Sequence, residues 1–228
     1  MANKKNNDAA EQAIESAVDK TQEFFERNGK LVSGIVIGVV VVVLAIFGYT
    51  KLIRQPRAEK AAAEMYVAQF RFEQANADYE LALNGDEEGA GFLDIIDQYG
   101  STPAGNLAAQ YAGICYMKLG DWDNAAKYLA KYKATKGVPN EVVNAENLGL
   151  QGDVCVQKGD YKKAISFFEK AAKVSDNDFT TPYYLKKAAL AYMALGDKES
   201  AKKLFKQISI QYATSLEARD AENYLGEL

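Results

Sequence analysis

The chain has 228 residues, 27 Lys and Arg against 31 Asp and Glu, no histidine and two cysteines. Lacking histidine, it has neither the commonest general base nor the commonest neutral metal ligand, which disfavours enzymatic chemistry. Residues 51–228 hold 22 basic and 25 acidic side chains without a basic stripe, which disfavours nucleic acid as a partner.

Residues 1–30 are polar, with Ile14, Val18 and Phe25 at helical spacing. That pattern predicts a short amphipathic helix, resting on a bilayer or partner subunit or simply solvated. Leu31–Thr50 then form twenty uncharged positions, thirteen of them Val, Ile, Leu or Phe. A helix of that length covers ~30 Å, the hydrocarbon thickness of a bilayer, so the run is read as a single transmembrane helix over 31–53. A cleaved signal peptide fits poorly: its leader would be too long, its apolar run exceeds the usual length, and no small-residue cleavage site follows. Gly34 and Gly38 form one G-x-x-x-G, a spacing that permits contact between two membrane helices and hence a homo-oligomer, or accommodates lipid alone.

Beyond the span, Pro56 is placed to open a long helix running to about Leu83, where Asn84-Gly85 stops it. From there helix–turn–helix units recur: CYMKLGDWDNAAKYL, CVQKGDYKKAISFF and AYMALGDKESAKKLF, with turn glycines Gly120, Gly159 and Gly196 spaced 39 and 37 residues apart. In each unit the glycine ends one helix and Asp121, Asp160 or Asp197 caps the next. Gly113, Gly152 and Ala189 are small where helices cross, as are Ala125, Ala164 and Ala201. Leu129, Phe168 and Phe205 fill the core. FLDIIDQYGSTPAGNLA, from Phe92, parallels FKQISIQYATSLEARDA, from Phe205, which marks a degenerate first repeat. The fold class is therefore all-α: one membrane helix, then a solenoid with a degenerate repeat over 64–102, repeats over 103–139, 140–177 and 178–213, and a capping helix over 215–227. Cys115 and Cys155 are read as buried helical thiols, with a disulfide between them left open.

These units resemble the tetratricopeptide-repeat superfamily across about 64–228. The arrangement of short tail, single span, long basic-flanked helix and repeats is similar to the YfgM-like ancillary proteins of the bacterial cell envelope. That resemblance implies an inner-membrane protein with a cytoplasmic N-terminus and periplasmic repeats. It also implies association with SecYEG translocon subunits, a membrane-anchored periplasmic prolyl-isomerase chaperone (PpiD) and emerging client chains. The flanking charge is nearly balanced, with Lys20, Arg27 and Lys30 on one side and Lys51, Arg54, Arg57 and Lys60 on the other. The positive-inside rule therefore slightly opposes an outside repeat domain and keeps a cytoplasmic-facing adaptor open.

With the turn glycines as register, the concave face is expected to present Gln110, Ile114 and Met117, then Glu146, Asp153 and Val156, then Tyr183, Lys186, Leu190 and Met193. Such a surface suits a partner helix or an incompletely folded chain, although repeat packing accounts for apolar residues equally well. The Lys/Asn/Arg clamp with which related modules hold a C-terminal carboxylate is missing. Catalytic, cofactor and metal motifs are absent from the sequence, and an enzyme built on Glu146, Asp153 and Asp160 is disfavoured.

Overall fold

The computed structural model describes residues 2–74 and 77–228, without the side chains of residues 2–17, 20, 25, 138 and 139. Contacts divide the chain into two units, Met1–Pro56 and Arg57–Leu228.

In the first unit, α1 (Ala2–Tyr49) is one uninterrupted helix. The short tail helix expected from the sequence is therefore not a separate element. Nothing breaks it: Gly29 alone costs only ~1 kcal/mol, and Asn28 donates its side-chain amide to the Phe24 carbonyl at 3.0 Å. Val18 is exposed, while Ile14 and Phe25 fall outside the described side chains. Thr50–Arg54 follow as a π-type turn, where the Thr50 hydroxyl donates to the Ile46 carbonyl at 2.7 Å. The helical run Glu26–Glu73 is, among the described residues, the one long and apolar enough to cross a membrane by length and composition. Its apolar side chains from Ile35 to Phe47 are exposed, and an added methyl at Gly34 or Gly38 would meet only open space.

The second unit is a stack of helices. Its first helix, α2 (Gln55–Glu73), ends well short of Leu83. Asp78 starts a new helix, α3 (Tyr79–Asn84), by accepting the Leu81 backbone N–H at 2.9 Å, so the predicted long helix is two helices. Gly85, at φ 69°, ends α3 and leads into a hairpin of two residues per strand, β1 (Gly85–Asp86) and β2 (Gly89–Ala90). The Asp86 carboxylate accepts the Glu88 and Gly89 N–H groups and pairs with Arg71 of α2 at 2.5 Å. After it come α4 (Phe92–Tyr99), α5 (Pro103–Lys118), α6 (Trp122–Leu129), α7 (Val138–Gln157), α8 (Tyr161–Ala172), α9 (Thr180–Ala194), α10 (Lys198–Gln211) and α11 (Leu216–Glu227).

Three turns repeat one backbone solution. Gly120, Gly159 and Gly196 lie at φ 75–78°. Each glycine N–H bonds back to the carbonyl of Met117, Val156 or Met193, and each following aspartate N–H to that of Tyr116, Cys155 or Tyr192. This double closure satisfies carbonyls that the helix end leaves open, in a geometry that only glycine adopts cheaply. Asp121, Asp160 and Asp197 then accept the N–H three residues on, at 3.0–3.2 Å. Side-chain hydrogen bonds from Asn124, Lys163 and Ser200, and then these backbone bonds, hold all three carboxyls below their usual pKa.

The small-and-large register closes the pairs. A methyl built on Gly113 would meet Leu129 at 2.6 Å, and one on Gly152 would meet the Phe168 ring at 2.4 Å. Ala125, Ala164, Ala201, Leu129, Phe168 and Phe205 are all buried. The segments aligned from Phe92 and Phe205 pack alike: Phe92, Ile95 and Tyr99 are buried, as are Phe205, Ile208 and Tyr212. Even the tyrosine hydroxyls match, donating to Glu64 at 2.9 Å and to Asp176 at 2.6 Å. Two apolar cores result, one built from α2–α5 and one from α7–α11, with Ala125, Leu129 and Val154 between them.

Candidate functional site: the groove of the first helices

The first helices of the repeats, α5, α7 and α9, present a two-lobed groove. Between α5 and α7 lies a cleft of about 730 Å³, in which Gln110, Ile114 and Met117 face Glu146, Asp153 and Val156. A second cleft of about 500 Å³ lies between α7 and α9, with Tyr183 on its far wall. Glu146, Leu150 and Asp153 line both clefts. Spaced four and three residues apart on α7, they form the ridge between the lobes.

The ridge carries two carboxylates in different electrostatic states. Asp153 pairs with Lys187 of α9 at 2.6 Å, and the Lys187 ammonium also lies 5.0 Å from the Tyr183 ring centroid. Glu146 has no such cation among the described residues. It accepts one hydrogen bond, from Gln110 Nε2 at 3.1 Å, and burial, outweighing that bond, raises its pKa above the usual carboxylate value. Tyr184, buried beside the ridge, has its hydroxyl pKa raised by burial and then by the charge of Glu146. Gly149 admits the Tyr184 ring against α7, because a methyl there would sit 2.2 Å from it.

The structure thus gathers Gln110, Ile114, Met117 and Asp153 in one cleft and sets Tyr183 across the ridge. The other three expected residues line neither of these two clefts. Lys186 turns to the capping helix and pairs with Asp220 at 2.7 Å, because α11 packs on that side of α9. Leu190 joins a smaller pocket of about 190 Å³ with Val156 and Lys187. Met193 packs against the C-terminal core.

Sequence reasoning missed Leu150, Lys187 and two exposed side chains, Phe179 (77 % exposed) and Leu216 (89 %), at the rim of the second lobe. Leu150 stood within reach, four residues after Glu146 on the face already chosen. Phe179 and Leu216 lie at helix starts outside the repeat register.

No cluster of three or more His, Cys, Asp or Glu side chains able to hold a metal occurs among the described residues. Both cysteines are free. Cys115 is buried, its thiol pKa pushed up to about 12 by desolvation, while Cys155 is only half-buried, packed against the edge of the C-terminal core.

Tetratricopeptide-repeat family models match residues 108–135, 145–178 and 185–215. No curated protein matches the chain in sequence. Among solved structures, one crystal structure of MamA is 19 % identical, covering 59 % of this chain and 85 % of its own, with a TM-score of 0.41. A second is 17 % identical, covers 79 % of this chain and 96 % of its own, and scores 0.40. A MamA structure from AMB-1 is 18 % identical, covers 78 % and 97 %, and scores 0.43. The chain carries tetratricopeptide repeats, and such repeats imply a protein–protein interaction scaffold.

Proposed function

We propose that this protein is a non-catalytic scaffold tethered to the bacterial inner membrane by residues 31–53, with repeats that hold a partner protein in the two-lobed groove. The observation that carries the reading is the groove itself: two clefts on either side of the α7 ridge, the second edged by the exposed Phe179 and Leu216. The tether rests on the exposed apolar sleeve of α1, whose length and composition suit a bilayer. In the finer reading, drawn from the family resemblance, the repeats lie in the periplasm and assist chains leaving the Sec translocon, together with a membrane-anchored chaperone.

Two experiments test this. Protease added to intact spheroplasts digests residues 57–228 if the repeats are periplasmic and spares them if they are cytoplasmic. Photocrosslinkers at Met117 and Tyr183 then capture translocon or chaperone subunits in gently solubilised membranes, and capture of neither counts against the translocon role. The second reading, a cytoplasmic-facing adaptor, is favoured by the four basic residues after the span against three before it. Protection from protease selects it.

A further inference from the structure

On the reading that the groove receives a partner segment, its chemistry narrows what that segment carries. The Glu146 carboxylate lies within the α5–α7 cleft, and among the described residues no lysine or arginine pairs with it. Asp153 is already matched by Lys187. Lys118, the cation lining the same cleft, stands eight residues beyond Gln110 on α5, about 12 Å away by helical rise. Beneath the cleft, Gln110 is 3 % exposed; its Nε2 is spent on Glu146, and its Oε1 is buried with no partner. A buried acceptor left unpaired is costly, and here it belongs to the same amide that touches an unpaired carboxylate. One point of the groove thus holds a carboxylate without a cation and, just beneath it, a buried acceptor without a donor.

We propose that this point binds an arginine side chain of the partner segment, its guanidinium seated on the Glu146 carboxylate with Gln110 Oε1 as the second acceptor. Arginine suits the place better than lysine because its planar fork presents several donors at once and is more weakly hydrated, so less is lost on burial. Ile114, Met117, Leu150 and Val156 then receive the apolar neighbours of that arginine. The groove selects an apolar segment with one embedded cation, and a purely apolar segment covers the Glu146 carboxylate without a countercharge and leaves Gln110 Oε1 without a donor.

The test pans a random twelve-residue peptide library against the full chain in phosphatidylcholine nanodiscs. Peptides whose binding is lost when Leu150→Trp fills the cleft are retained as groove binders. An arginine flanked by apolar residues is expected to recur among them, and Glu146→Gln or replacement of that arginine by citrulline should weaken binding about tenfold or more. Groove binders without arginine, or binders indifferent to both changes, overturn the proposal while leaving the groove reading intact. A library that yields no binder sensitive to Leu150→Trp overturns the groove reading itself.

Discussion

In the third helix pair, α7 ends beside Gly159 and α8 begins two residues later, whereas eighteen residues, a short helix and a hairpin separate α2 from α4. Yet α4 buries Phe92, Ile95 and Tyr99 with the spacing that α10 uses for Phe205, Ile208 and Tyr212. The comparison separates two roles that a repeat normally fuses. The side-chain register of the second helix decides how it docks, and the glycine–aspartate turn only shortens the path between helices. A first repeat can lose the turn and keep the docking, because loop closure grows costly only slowly with length.

The largest effect should come from emptying that register. Phe168→Ala and Phe92→Ala each remove a fully buried ring and should cost ~3–5 kcal/mol. They should differ in where the loss spreads, since α2–α5 and α7–α11 have separate cores. Hydrogen exchange on the full chain is expected to quicken in α2–α5 for Phe92→Ala while α8–α11 stay protected, with the reverse for Phe168→Ala. Simultaneous melting of both regions in either variant would mean the two cores act as one.

A second pair of substitutions separates crossing from turn. Gly152→Ala drives a methyl to 2.4 Å from the Phe168 ring and should cost ~1–3 kcal/mol. Gly159 has nothing within 4 Å but lies at φ 75°, so Gly159→Ala should cost ~1–2 kcal/mol through the backbone alone. Asparagine tolerates that left-handed conformation, so Gly159→Asn should recover part of the loss in a thermal melt. Gly152→Asn should recover nothing, and equal recovery at both positions would erase the distinction.

What could be read in advance follows the same line. The turn glycines, the aspartate caps and the small-large pairing are local or recur at a fixed period, and all are present in the structure. The break between α2 and α3 was missed because the alanine-rich run after Pro56 has high helix propensity throughout, and only Asp78 signals the restart. The loop between α6 and α7 was equally opaque. It is held by side chains distant in sequence: Asn106 exchanges two hydrogen bonds with the Lys133 backbone, and Asn144 does the same with Thr135. The groove divided along similar lines: α5 and α7 residues followed from register, whereas Lys186 was claimed by Asp220 on a helix that belongs to no repeat.

Acid should then weaken the three regular turns. Asp121, Asp160 and Asp197 have folded pKa values below their ordinary 3.8, so their stabilisation is complete above that value and is lost as pH falls through the folded ones. Below pH 3.8 the melting temperature should fall more steeply for the parent than for a variant with all three changed to Asn, which caps without titrating. Parallel slopes would remove these caps from the acid response.

The smallest effect has the opposite sign. Glu146 has a folded pKa raised above its ordinary 4.5, so the folded state binds its proton more tightly than the unfolded chain does. Its contribution is therefore favourable below pH 4.5 and is lost as pH rises through the folded pKa. At neutral pH the ionised carboxylate, exposed at its tip but partly desolvated by the cleft walls, lowers stability, so Glu146→Gln should raise the melting temperature slightly and flatten its pH dependence just above 4.5. A residue kept only for packing would not gain from losing its charge, whereas one that awaits a cation from outside should. A fall in melting temperature for Glu146→Gln at pH 7 would mean that the carboxylate already has its partner within the fold.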